Sequence, residues 1–363
     1  MQSGESPPLK CRKENQFTSY TMHTLWGNSC ISVGGFMYRT YLLIVSLLFL
    51  AAQCTPAEPV ELRVNLKKGD KYVQTMTTEQ KVVQSLPQMG PGVPAGKQTQ
   101  TSTVTITYTI ECTDVDEEGT TIKLTYDRIQ VEKEQSTAMD GSKSESPGRK
   151  TVYDSQKDEN PTDPETIAYS VMIGNGFSVK LSPRAEVLDM LGVEEFLNRV
   201  YSGLKIPDTA EGREVKKMLH EQFGANTMKH MLSRSYLPYP EGKVAEGDSW
   251  KDTMDLGGAG FPLKVENTYT VDDLDSSEAV LMTEGKITSI EGQTMKIMSM
   301  ELAYDIQGKQ TGEQVIGLDK GVVVRSELKR TLKGETKVIS MPQLSEEMVI
   351  PMEVETTITL ETE

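Results

Sequence analysis

From Val60 to the C-terminus, apolar side chains return at every second position, a spacing that a pleated strand with one buried face requires and a helix cannot satisfy. "ELRVNL" alternates Leu62, Val64 and Leu66, and "TVTITYTIEC" alternates Val104, Ile106, Tyr108, Ile110 and Cys112. "TIKLTYDRI" continues with Ile122, Leu124 and Tyr126, and "TLKGETKVIS" and "MEVETTITL" repeat the habit near the C-terminus. Turn-forming runs separate these segments: "DVDEEG" at 114–119, "GNG" at 174–176, "LSPRAE" at 181–186 and "LDKG" at 318–321. Short connections favour pairing between sequence neighbours. The reading is a mainly β protein with some helix (α+β), its antiparallel strands forming a curved sheet or open half-barrel.

Two polar stretches, Leu86–Gln100 and Glu134–Lys150, carry no apolar period and read as mobile excursions from hairpins. One region changes period to that of a helix. "VEEFLNRVY" places Val193, Phe196, Leu197, Val200 and Tyr201 on one helical face between Gly192 and Gly203. After Pro207, Asp208 stands as the cap of a second helix with Glu211 three residues on, and Val215, Met218, Leu219 and Phe223 form its apolar face. This gives a helical insert at 190–235 between β-rich segments 60–185 and 241–363.

Those segments echo one another. "KKGDKY" (67–72) and "AEGDSW" (245–250) share Gly-Asp, any residue, then an aromatic, "TYTI" (107–110) matches "TYTV" (268–271), and "FSVKLSPRAEVL" parallels "EQVIGLDKGVVV". The order is preserved, as in a diverged duplication, although common hairpin grammar gives the same matches. In either case Gly69–Asp70–Tyr72 and Gly247–Asp248–Trp250 read as structural turns: glycine takes positive φ, aspartate bonds nearby amides, and the aromatic anchors the following strand.

The N-terminal portion carries a different signal. "MYRTYLLIVSLLFLAAQCTPA" (37–57) has a basic head at Arg39, an apolar run from Tyr41 to Leu50 and small residues at Ala51 and Ala52. That run is too short for a permanent membrane span, which takes about 20 residues, and fits a cleaved export signal. Met37 is then the working start, with residues 1–36 an unused upstream or disordered extension. "AAQC" resembles a lipoprotein cleavage box, making Cys54 a candidate lipidation site, with cleavage after Ala52 or Ala57 the alternative. The expected address is the periplasm or cell envelope, with any membrane attachment through that lipid.

The net charge is −15, and because the first 53 residues carry +2, the remainder carries −17. Such a surface repels phosphate backbones, and nucleic acid is not an expected partner. Catalytic chemistry finds no foothold either. Beyond Cys54, Cys112 continues a strand's buried alternation and reads as a packed, inert thiol. His220 and His230 sit about 80° apart around a helix, a poor pair for one metal. No nucleophile elbow or phosphate loop is present, and the acidic runs "DEEG" and "DDLD" lack calcium-loop spacing. "MKIMSM" (295–300), read as one strand, puts apolar matter on both of its faces. No catalytic, cofactor or metal residues are therefore assigned, and the balance lies against an enzyme.

The export signal, "LKKGDKY", "YDS" ahead of "FSVKLSPRAEVLDMLG", the amphipathic helices and "PEGKVAEGDSW" resemble an uncharacterised family of bacterial exported proteins and lipoproteins, a domain of unknown function. Ala185 stands in the tight turn where Gly is expected. The resemblance implies no catalytic residues. Three functions follow for test: a noncatalytic envelope module holding a lipid or other apolar ligand, or an envelope partner; a structural or interaction protein of the envelope with a filled core; and a carboxylate-dependent hydrolase.

Overall fold

Most of the alternating segments become strands of one very large antiparallel sheet in a computed structural model of the chain. "ELRVNL" does not: only Val60–Glu61 is strand, pairing with 243–244 in a separate two-stranded sheet, and 62–66 is irregular backbone that still buries Leu62, Val64 and Leu66. The structure describes residues 58–363 apart from 89–94, 140–145, 159–160, 162–163, 211, 214–215, 218–236, 256–261, 298–299 and 341–347. The candidate start at Met37, the segment 37–57, Cys54, His220 and His230 thus lie outside the described residues.

The strands are β1 (Val60–Glu61), β2 (Lys71–Leu86), β3 (Gly96–Val115), β4 (Thr120–Met139), β5 (Ser146–Asp154), β6 (Gly176–Leu181) and β7 (Val187–Leu191), then β8 (Lys243–Val244), β9 (Ser249–Asp255), β10 (Leu263–Leu274), β11 (Glu278–Ser289), β12 (Thr294–Ile297), β13 (Met300–Gly317), β14 (Val322–Ser340) and β15 (Met348–Thr362). Two helices are resolved as elements, α1 (Pro164–Met172) and α2 (Val193–Gly203). The protein is mainly β, and the sheet does not close into a barrel: its order is β7-β6-β4-β3-β2-β15-β14-β13-β11-β10-β9, with β5 also on β4 and β12 on β13. Two runs, β2-β3-β4-β6-β7 and β9-β10-β11-β13-β14, have the same connectivity and are joined edge to edge through β15.

The two Gly-Asp turns that open these runs are the same turn. Gly69 and Gly247 have φ of 94° and 89°. Asp70 and Asp248 accept through Oδ2 from the N–H of Lys67 and Ala245 at 2.7 and 2.8 Å. Gly69 N–H donates to the Cys112 carbonyl and Gly247 N–H to that of Val271, both at 2.8 Å. The matched residues are thus Cys112 with Val271 and Ile110 with Tyr269, so the sequence match of 107–110 with 268–271 is offset by two positions. A shift of two keeps every side chain on its face, which is why the period alone does not detect it. Ala substituted at Gly69 or at Gly247 meets no atom within 4 Å, so strain at positive φ sets the cost. Each single change is expected to cost about 1–2 kcal/mol, equal within error by chemical denaturation.

The turn-rich end of the sheet is packed solid. Leu281, Val179, Ile122, Ala279 and Ile316 are fully buried there, joined by Leu62, Val64, Tyr72 and Val271. α2 presents Val193, Phe196 and Leu197 to this core as its spacing predicts, with Phe196 stacked on Tyr126 and edge-on to Phe177. Its N-terminus begins at Gly192, whose φ is 77°. After Pro207 the cap falls one residue later than Asp208, Thr209 Oγ1 accepting from Gly212 N–H at 3.1 Å; Glu211, Val215, Met218, Leu219 and Phe223 lie outside the described residues.

Segments 62–66 and 237–244 tie the two hairpin turns of this end together. Val64 N–H donates to Pro183 O and Asn65 N–H to Lys320 O, at 2.8 and 2.9 Å. Tyr239 N–H donates to Arg184 O, while its buried hydroxyl donates to Gly321 O at 2.9 Å. The turn glycine expected near Ala185 is supplied by Ala itself at φ 62°, with Gly321 at 64° in the other run.

Three local expectations change. The polar stretches are strand at both ends: Leu86 pairs with Gly96 and Thr137 with Ser146, while 89–94 and 140–145 lie outside the described residues. Elsewhere on β2 and β3, threonines pair across the strands, as in the Thr75–Thr107 and Thr77–Thr105 hydroxyl pairs at 3.2 and 3.0 Å. "MKIMSM" is not one strand but the junction of β12 and β13, where Ile297 pairs with Met300. Helix α1 has no counterpart among the sequence expectations, since "PETIAYSVM" is short and weakly amphipathic.

Candidate functional site

Away from the packed end, the long strands present two unlike faces. On β14, Arg325, Glu327, Lys329, Thr331 and Lys333 are exposed, while Ser326, Leu328, Arg330 and Leu332 between them are half-buried. β13 and β15 keep the distinction, with Lys309, Glu313, Glu353 and Glu355 exposed and Gln310, Val354 and Thr356 buried. The charged face belongs in water, because a lipid-facing strand needs an apolar band.

A polar chain crosses the inner face where four residues share one row. Register aligns Asn267 of β10, Gly285 of β11, Gln310 of β13 and Arg330 of β14, continuing to Thr356 and Gln80. Gln310 Nε2 donates to Asn267 Oδ1 at 2.8 Å, and Asn267 Nδ2 donates to the Tyr269 hydroxyl at 3.1 Å. Arg330 donates to Gln310 Oε1 through Nε at 3.3 Å and through its NH2 group at 2.9 Å. The first of these bonds spans an intervening strand only because Gly285 has no side chain: a Cβ there would lie 2.3 Å from Asn267 Oδ1 and 2.8 Å from Gln310 Cγ.

Burial governs the electrostatics of this row. It lowers the Arg330 pKa from its ordinary value and raises that of Asp252 on β9, the register partner of Asn267. It also pushes Tyr269 up to about 12, helped by the nearby Asp252 charge. Asp252 is four strand spacings from Arg330, roughly 19 Å along the sheet, too far to form its ion pair. Among the described residues no carboxylate pairs with Arg330, and its hydrogen bonds to Gln310 engage only two of its five guanidinium N–H groups. Around it the face is aliphatic: Leu328 and Leu332 lean over Gly312 and Gly308, and Val354 and Ile358 follow on β15.

A second polar cluster is closed on itself. Asp154, the central residue of "YDS", accepts from Arg128 through both oxygens at 3.1 and 2.7 Å and from Gln156 N–H at 3.1 Å. Ser155 Oγ accepts from Ile129 N–H, and Asp158 accepts from Asp154 N–H at 2.7 Å. The carboxylate and the serine hydroxyl are thus engaged in pinning β5 to β4, while the buried Tyr153 hydroxyl has no hydrogen-bond partner among the described residues. Arg128 foremost holds the Asp154 carboxyl well below the usual carboxylate range. A depressed acid stabilises the fold above its unfolded pKa, and that contribution fades as pH falls through the folded value. Asp154→Asn is accordingly expected to lower Tm by a constant amount from pH 6 to 8, with the gap to wild type closing once pH drops below about 4, measured by calorimetry.

The other residues singled out by sequence are dispersed. Asp70 and Asp248 are occupied by their own turns, and Tyr72 and Trp250 start β2 and β9, Trp250 donating to Pro238 O at 3.1 Å. Cys112 is free and buried, its thiol pushed up by burial. Asp116 and Asp275, from the two acidic runs, cap their turns by accepting main-chain N–H groups. Asn267, Gln310 and Arg330 escaped sequence reading because each is an isolated polar residue in an alternating strand. Gly285 and Gly308 inside strand patterns were the available signal, since such glycines mark close approach.

The fold and site define an open antiparallel β protein with one packed end and an inner face of mixed aliphatic and amide character. Residues 117–323 match a family of unknown function (DUF6263), and the chain belongs to that family. No curated protein matches. Among solved structures, OccK7 (OpdD) of Pseudomonas aeruginosa is similar over 81% of this chain and 99% of its own, at 8% identity and a TM-score of 0.23. The COG4313 outer membrane channel of Pseudomonas putida F1 is similar over 85% of this chain and 100% of its own, at 10% identity and a TM-score of 0.22. Likeness at this level carries no argument about function.

Proposed function

We propose that this is an exported cell-envelope protein whose folded body binds an apolar ligand without transforming it. The observation that carries the reading is the contrast between faces of β13, β14 and β15: one face is charged and solvated, while the other keeps Leu328, Leu332, Val354 and Ile358 half-buried or buried around a few amides. Two depressions at the surface, about 530 Å³ beside Ser277 and Leu318 and about 240 Å³ beside Val83 and Met352, are open. The ligand would lie along the inner face.

The repeated connectivity and the matched Gly-Asp turns support a diverged duplication as the origin of the two runs. The charge of the solvated face and the 37–57 segment support an envelope address, and Cys54 is the residue that would carry a lipid. The filled core at the turn-rich end favours a second reading, a purely structural envelope protein. Titration with the uncharged fluorophore N-phenyl-1-naphthylamine separates the two. Saturable enhancement that is lost when Leu328 and Leu332 become Ser supports the binding module; no saturable signal supports the structural reading.

A further inference from the structure

We infer that the inner face is built for an anionic amphiphile, with the guanidinium of Arg330 receiving its carboxylate or comparable acidic head and the aliphatic side chains beside it receiving the tail. This rests on the proposed binding function and specifies its ligand class. Arg330 is a half-buried cation in a body of strongly negative charge, yet its acceptor among the described residues is an uncharged amide, Gln310. Burying a cation without a counter-ion is unfavourable, and an arriving anion removes that penalty where a neutral or cationic amphiphile does not.

The surroundings fix the guanidinium in a receiving posture. Gln310 holds Nε and one N–H of NH2, and is itself held by Asn267, which is bonded to Tyr269. The planar fork is thereby oriented, and its remaining donors match a carboxylate's two oxygens. Thr283 Oγ1 and Gln314 Oε1, on the next rows toward the packed end, are buried with no hydrogen-bond partner among the described residues. Gly308 and Gly312 leave room for Leu332 and Leu328 to spread beside the cation. From Arg330 the row leads past Thr356 to exposed Gln80, a route by which a head group reaches the site.

The test is calorimetric titration of the full chain with decanoate, 1-decanol and decyltrimethylammonium, each below its aggregation concentration. Decanoate should bind at least about tenfold more tightly than decanol, with the cation weakest, a difference of about 1.4 kcal/mol. Arg330→Gln should remove that advantage while leaving decanol within about twofold. Gln310→Glu places a carboxylate beside Arg330 without deleting it and should also abolish the preference, which keeps the test open if Arg330→Gln does not fold. Equal affinity of wild type for decanoate and decanol, or an undiminished preference in a folded variant, overturns the anionic assignment alone. No binding of any of the three overturns both it and the binding function.

Discussion

Replacing Gly321 with Ala is expected to lower stability by about 4 kcal/mol, a fall of roughly 10 °C in Tm. The residue sits at φ 64°, and a Cβ would be only 1.7 Å from the main-chain oxygen of Arg63. Backbone cannot yield as a side chain can, so the hairpin must withdraw from segment 62–66. Withdrawal breaks Asn65 N–H to Lys320 O, Asn65 Nδ2 to Asp319 O and Tyr239 Oη to Gly321 O. Each bond contributes about 1 kcal/mol net, and the left-handed conformation adds about another for a residue with a side chain. Ala185 in the opposite hairpin makes the contrast sharp. It already occupies φ 62° with its methyl 5% exposed, so Ala185→Gly relieves strain but loses methyl burial and loosens the unfolded chain, a net change within about 1 kcal/mol. Thermal denaturation of the two variants side by side checks both; a Gly321→Ala protein as stable as wild type would mean that the turns are not docked on 62–66.

Gly285→Val should cost about 3 kcal/mol through a different route. Its side chain would enter the space where Gln310 reaches Asn267, whose own side chain is 2% exposed and has nowhere to retreat. The amide–amide bond breaks, both groups are left unpaired in a low-dielectric setting, and Gln310 no longer orients Arg330. Loss of stability should therefore be accompanied by loss of decanoate preference. A variant that is less stable but keeps full preference would show that the row is structural and Arg330 is oriented by something else.

Much of the fold is legible in the sequence, because a period of two and a period of 3.6 are physical consequences of burying one face. Strands at 104–112 and 122–126, and α2 with Val193, Phe196 and Leu197 inward, follow directly from that spacing. What is not legible depends on partners distant along the chain. β15 pairs with β2, nearly 300 residues away, and nothing local in "MEVETTITL" selects that edge. The Thr- and Gln-rich ends of β2 and β3 lack an apolar face, so their strand character comes from the hydrogen-bonded partner and not from their own pattern. The candidate site was least legible of all. Arg330 looks like one cation among Lys329, Lys333 and Arg325 until register shows that it alone of the four points inward, toward Gln310 and not toward solvent.

Native mass spectrometry of the protein purified from an exporting bacterial host tests the central claim most directly. The binding account predicts a folded species heavier than the polypeptide by a noncovalent, singly acidic lipid-sized adduct, released on collisional activation and absent from Arg330→Gln. A folded wild-type protein at its bare polypeptide mass, unchanged after incubation with decanoate, would contradict it.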